Sequence, residues 1–228
     1  TPAATPAPVQ PAFYLSNAQI AKVNAHLPAY QRACDLVKIG PVLFMAGIHY
    51  REAEFGVTSQ VPGGPFQLDP GGAGDDLRAK IDAYVAKVCQ TYGVPNGDIE
   101  TDFSVACLVA AHELREKVRP KPVGAVVLEG DALADALWGY NGRSRHHVPA
   151  GVESDPPNQA GKPVVINRSW QYSSYVSNDP RAGVNLRIIG TMPDPKNASQ
   201  RIKIDRVDAR PGALAIIREL TLRQAELA

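Results

Sequence analysis

Seven consecutive apolar residues, Val105-Ala106-Cys107-Leu108-Val109-Ala110-Ala111, sit inside a stretch of helical pattern that begins after Thr101 or Asp102 and runs over 103–118. A helix that is apolar on every side cannot lie on a surface and must be surrounded by other elements. The rest of the chain therefore has to supply a shell, and its periodicity offers amphipathic helices for that purpose. Ser16 or Asn17 can cap a helix carrying Ile20, Val23 and Leu27, which Pro28 interrupts, and a second piece follows over 30–37. Pro41 suits the first turn of a helix over 41–54. Asp75-Asp76 opens another, with Leu77, Ile81, Tyr84, Val85 and Val88 as its stripe and Gly93 as its stop. Shorter helices are expected over 131–138 and 211–227, the latter burying Leu214, Ile217 and Leu220 or Leu222. The expected fold class is mostly α. A Pro/Ala-rich linker (1–12) precedes one domain (13–228) with long irregular loops and at most a short β element, such as a strand within 184–189.

At 228 residues the chain is long enough for one well-buried core. Its net charge of +1, with no basic stretch on any element, gives no footing for nucleic acid. No apolar run approaches membrane-spanning length. The opening residues read as a linker or the mature end of a processed protein, and a secreted or periplasmic location is expected. Cys34, Cys89 and Cys107 have no metal-ligand spacing. An oxidising compartment would allow one bridge and a leftover thiol, but the preferred reading of Cys107 is a small core residue. His146-His147 has no carboxylate or cysteine neighbour in sequence, so no metal is expected. Neither a phosphate-binding glycine loop nor a serine nucleophile elbow appears, and no cofactor is called for.

The chemically suggestive segment is Met45-Ala46-Gly47-Ile48-His49-Tyr50-Arg51-Glu52-Ala53-Glu54-Phe55. Met45, Ile48, Glu52 and Phe55 recur at intervals of three, four and three, which places them on one helix face. A carboxyl held among apolar side chains keeps its proton to higher pH, as a general acid must. The plainer reading is a glutamate at a helix end, paired with Arg51 or solvated.

Two further segments add to it. Arg51-Glu52-Ala53-Glu54-Phe55 resembles the Glu-Ser-x-Phe signature of lytic transglycosylases and goose-type lysozymes. Gly64-Pro65-Phe66-Gln67-Leu68-Asp69-Pro70 is similar to their Gly-Leu-Met-Gln loop, and Ala136-Leu137-Trp138-Gly139-Tyr140-Asn141-Gly142 to their Ala-x-x-Tyr-Asn-x-Gly motif. The three occur in the family's order, and the resemblance spans about 41–143. It implies a lysozyme-like helical fold with a groove for the glycan strand of peptidoglycan. It further implies Glu52 as catalytic acid/base at the bond between N-acetylmuramic acid and N-acetylglucosamine. Gln67 would hydrogen-bond substrate, Tyr140 would touch Glu52 or the neighbouring sugar, and Asn141 would fix the turn or the groove wall. For Tyr140 the plainer reading is a buried aromatic with a satisfied hydroxyl. The family's serine is Ala53 here, and Pro65-Phe66 replaces Leu-Met, with Phe66 an apolar wall at the substrate side.

Hydrolysis in an inverting enzyme needs a second carboxylate roughly 6.5–9.5 Å from the acid, whereas a transglycosylase uses the sugar's own hydroxyl. Asp69, two residues past Gln67, matches the aspartate that helps position water in the goose-type lysozymes, which favours a muramidase. Its plainer role is to close a turn before Pro70; helix-start placement equally explains Asp75 and Asp76. Glu54 and Asp69 add negative charge beside the acid, which suits glycan whose amino sugars lack acetyl groups. His49 and His112 read as packed or hydrogen-bonded histidines. Trp170, Tyr172 and Tyr175 could stack on sugar rings or serve the core. The expected partner is the peptidoglycan glycan strand, met by a monomer. The alternatives are a transglycosylase forming anhydro ends, a chitinase or chitosanase on a similar fold, and a wall-binding or secretion-associated protein with little or no catalysis.

Overall fold

The computed structural model describes residues 14–57, 63–68, 77–140, 147–149, 186–194, 197–208 and 211–227. Within them lie six α-helices: α1 (Asn17–Val37), α2 (Leu43–Ala53), α3 (Leu77–Tyr92), α4 (Phe103–Lys117), α5 (Gly130–Tyr140) and α6 (Ala213–Leu222). The fold is mostly α-helical, as the periodicity predicts.

The helix ends follow from local chemistry. Ser16 Oγ accepts the Gln19 N–H at 3.3 Å, and Gln19 Oε1 accepts the Ser16 N–H at 2.9 Å, a reciprocal cap that opens α1. The helix then runs unbroken through Pro28, where the sequence suggests two pieces. Pro28 is exposed, so water can replace the intrahelical bond that the proline forgoes. Asp102 Oδ1 caps α4 by accepting the Ser104 and Val105 N–H groups at 3.0 and 3.1 Å. Gly93, with φ +65°, closes α3, and the Val94 N–H returns to the Cys89 carbonyl at 3.0 Å.

Every residue from Val105 to Ala111 is buried, so α4 is the central helix that its composition demands. α1, α3, α5 and a 3-10 turn at Gly64–Phe66 pack around it, while α2 lies against α6. That last contact is close. A Cβ on Gly47 would stand 2.7 Å from the Ala213 carbonyl oxygen and 2.7 Å from Ile217 Cγ1, so only glycine fits at this crossing. One hydrophobic cluster extends from Leu15 to Leu220. Cys34, Cys89 and Cys107 are free and buried within it; burial pushes the Cys34 thiol up to about 12 and Cys107 higher still. Leu214, Ile217 and Leu220 are buried in α6, together with Ala213, Ile216 and Glu219, and Leu222 is exposed.

Two side-chain clamps join distant segments. Arg115 on α4 donates from Nη1 to the carbonyls of Val37 and Lys38, both at 2.8 Å, and from Nη2 to Gly124. It thereby braces a two-residue parallel bridge between β1 (Ile39–Gly40) and β2 (Val126–Val127). At the other end, the Glu219 carboxylate accepts the N–H groups of Tyr14 and Leu15 at 2.8 and 3.0 Å. Arg223 pairs with Glu219 at 3.2 Å and donates to the Leu15 carbonyl at 2.7 Å.

The expectation of at most a short β element is corrected. A three-stranded antiparallel sheet is ordered β3 (His147–Pro149), β4 (Leu186–Asp194), β5 (Asn197–Asp208), with Leu186 opposite Asp208 and Ile189 opposite Asp205. Alternation along Arg201-Ile202-Lys203-Ile204-Asp205 is the period-two signature of a strand, and β5 pairs along the whole of β4.

Candidate functional site

α2 brings Glu52 to its last turn. Met45 and Ile48, earlier in the same helix, are fully buried, and Glu52 itself is half-buried. Phe55 reaches the same core by another route than the expected helix face. α2 stops at Ala53, and Glu54 (φ +48°) and Phe55 (φ +65°) both adopt left-handed backbone. Two such non-glycine residues in succession store conformational strain that surrounding contacts must hold. The reversal returns the Phe55 ring, 2% exposed, against Tyr50 and His49, at centroid separations of 5.5 and 5.7 Å. Glu54, by contrast, faces solvent as the helix cap, its N–H bonded to the Tyr50 carbonyl at 2.9 Å.

The end of a helix leaves carbonyls without intrahelical donors. At α2 one of these is the carbonyl of Glu52, and Gln67 Nε2 donates to it at 2.7 Å. Gln67 is exposed and left-handed (φ +46°), the closing residue of the 3-10 turn, with its own N–H on Gly64 at 3.0 Å. Gly64 has φ +69°, and a Cβ there would collide with the Ile99 carbonyl oxygen, so the turn depends on glycine.

Tyr140, the last residue of α5, donates from its hydroxyl to the Phe66 carbonyl at 3.2 Å. Burial raises its pKa well above the ordinary tyrosine value, and the negative charge of Glu52 is the next largest cause. The phenol therefore lies in the field of the Glu52 carboxyl. Glu52, Gln67 and Tyr140, far apart in sequence, are brought together. Phe66 belongs to the same cluster in a different role from the expected wall facing substrate. Its ring is fully buried, 5.0 Å from the ring of His49 and 6.1 Å from Phe103, and what it offers outward is its carbonyl.

His49, which the sequence suggests is packed or hydrogen-bonded, is both. Nδ1 is 2.6 Å from the Tyr30 hydroxyl and Nε2 is 2.7 Å from the Gly56 carbonyl oxygen. Because a carbonyl can only accept, Nε2 carries the proton and Nδ1 accepts from Tyr30. Burial lowers the pKa of His49 to about 4, the Gly56 bond works in the opposite direction, and His26 and Lys22 add repulsion. His112 is likewise engaged, with Nδ1 at 3.0 Å from the Tyr92 hydroxyl. The His49 partnerships escaped the sequence reading because Tyr30 belongs to another helix and no local spacing announces it.

Asp69, Asn141, Gly142, Asp75, Asp76, His146, Trp170, Tyr172, Tyr175 and the 1–12 segment lie outside the described residues. Among the described residues, no helix is long and apolar enough to cross a membrane. No protein-family model, curated protein or solved structure matches this chain, so the site stands on its own geometry.

Proposed function

We propose that this chain is an extracytoplasmic muramidase of lysozyme-like fold that cleaves the β-1,4 bond between N-acetylmuramic acid and N-acetylglucosamine in peptidoglycan. Glu52 is its general acid/base and Asp69 the residue that positions water. What supports the reading is the convergence of three segments singled out by motif. The Gln67 amide meets the Glu52 carbonyl at 2.7 Å, and the Tyr140 hydroxyl meets the carbonyl of Phe66, the residue next to Gln67. A glycosidic oxygen needs a proton as it leaves, and positive charge develops on the ring. A half-buried carboxyl serves the first need, and its conjugate base, with the acidic Glu54 close by, serves the second.

The test is clearing of purified cell wall by the wild type and by Glu52→Gln. Removing a general acid lowers the rate by about 10²–10⁴-fold. A wild type inert on wall, or a variant as active as the wild type, overturns the reading. Mass spectrometry of the released muropeptides then separates reducing ends, left by a hydrolase, from the anhydro ends of a transglycosylase.

Ala53 favours a second reading, a wall-binding protein with little catalysis, since a hydroxyl beside the acid is absent. Co-sedimentation with wall that Glu52→Gln leaves intact, without any muropeptide release, would select it.

A further inference from the structure

One imidazole touches both halves of the site. His49 holds the strained turn after Glu52 through the Gly56 carbonyl, at 2.7 Å, and its ring meets Phe55 edge-on. On the other side it lies 5.0 Å from the ring of Phe66, whose neighbour Gln67 caps the Glu52 carbonyl and whose own carbonyl receives the Tyr140 hydroxyl. We propose that His49 is the positioning residue of this site. It aligns the Glu52 turn with the Phe66-Gln67 loop only while its ring is neutral, so that acid disengages the site without any change at Glu52.

The surroundings explain why the neutral ring is required. α1 contributes Tyr30, His26 with its ring centroid 5.4 Å away, and Lys22; α4 contributes Phe103 at 5.1 Å, with Cys107 acting on Tyr30 from the same helix. The turn and the 3-10 loop add the uncharged rings of Phe55 and Phe66. Of the groups around His49, Lys22 is a cation and His26 a base whose own pKa burial lowers, so a proton gained at His49 meets repulsion rather than a counter-ion. Protonation also places a second hydrogen in the 2.6 Å gap between Nδ1 and the Tyr30 hydroxyl. The phenol, itself buried, must then turn its proton away from its partner. Relief comes most directly by moving the turn, since Glu54 and Phe55 are already held in left-handed backbone. Burial, which favours neutral His49 down to about pH 4, agrees with this arrangement.

The activity arm of the test rests on the muramidase reading; the spectroscopic arm does not. Nitrogen-15 NMR of the wild-type chain should show the Nε2–H tautomer of His49 at neutral pH. Hydrogen-exchange protection of the Gln67 side-chain amide should be lost in step with His49 protonation. Two variants, His49→Phe and His49→Gln, are then compared on cell wall across pH. H49F loses both hydrogen bonds and should lower kcat at every pH by about tenfold or more. H49Q, whose amide can still donate toward Gly56 but cannot take up a proton, should recover part of that kcat and shift the acid limb of the profile to lower pH. A Gln67 amide indifferent to His49 titration, or an acid limb shared by H49Q and wild type, overturns the proposal. If H49Q does not fold, the Gln67 amide in the wild type decides alone. A folded wild type inert on wall overturns the muramidase reading, and the same amide still decides this one.

Discussion

The side-chain amide of Gln67 stands 2.7 Å from the main-chain carbonyl of Glu52, so the loop residue caps the very helix turn that carries the proposed acid. Fifteen residues of chain separate the two, and the bond makes the position of the Glu52 backbone depend on the 3-10 turn at Gly64–Phe66. Replacing Gln67 by Ala should cost about 0.5–1.5 kcal/mol of stability, the worth of one hydrogen bond at an exposed site. Turnover on wall should fall more than that, because the acid loses its alignment. Chemical denaturation beside a muropeptide release assay reads both; a Q67A protein with normal turnover would separate the cap from the chemistry.

Gly47 allows α2 to lie on α6. Alanine there would overlap the Ala213 carbonyl and Ile217, with expected destabilisation of about 1–3 kcal/mol from overpacking. Thermal unfolding of Gly47→Ala should show the loss. Paired with Ile217→Val, which makes room on the facing side, part of it should return.

Buried Glu219 and Arg223 tie the chain at Tyr14 and Leu15 to the last helix. Substituting Arg223 by Met leaves a carboxylate in the interior without its partner, which costs about 3–5 kcal/mol. Hydrogen exchange at the Leu15 amide, which Glu219 accepts at 3.0 Å, should accelerate before that of α4 amides. Equal protection in R223M and wild type would mean that the clamp contributes little.

Stability should fall in acid through His49. In the unfolded chain this imidazole takes up its proton near its ordinary pKa of 6.5, whereas in the fold it resists protonation down to about 4. The unfolded state therefore binds more protons between those values, and its population grows as pH falls. The contribution is complete above about pH 6.5 and is lost progressively toward pH 4, amounting to roughly 3 kcal/mol for this group. Urea midpoints measured across that interval should decline in wild type and decline less in His49→Gln.

How far such features can be read in advance depends on whether their cause is local. The α3 stripe, the Asp102 cap and the buried run of α4 are written within a few residues of themselves, and the observed helices follow them. Pro28 misleads because its local penalty is outweighed by packing on both sides of it: Val23, Tyr30 and Ala33 all face the core. The start of β4 falls within the strand expected over 184–189, but β5 has only a short alternating stretch, Arg201-Ile202-Lys203-Ile204-Asp205, to announce it, and its pairing with β4 is not written locally. At the site, motif order marked Glu52, Gln67 and Tyr140. Nothing local marks Tyr30 as the partner of His49 across 19 positions, or Glu219 as the acceptor for Tyr14 across 205. Phe66 was placed on the wrong side of its own loop for a similar reason: a motif names a position, and burial decides which atoms of that residue face outward.

The guanidinium of Arg115 has a consequence beyond its hydrogen bonds. β1 and β2 share two rungs, Ile39 with Val126 and Gly40 with Val127, too few to persist as a sheet in water. Arg115 supplies in one side chain what a third strand would supply along its length, holding the Val37 and Lys38 carbonyls on one flank and Gly124 on the other. The segment leading into α5 is thereby hung from the end of α4 by a single planar group. Lysine would keep the charge and lose the fork that spans both flanks. Such a chain would retain its central helices while the Val126 and Leu128 amides, bonded to Lys38 and Gly40, open to exchange. The loss would stop there, because Leu133, Ala136 and Leu137 still bury α5 in the core and keep Tyr140 at the site.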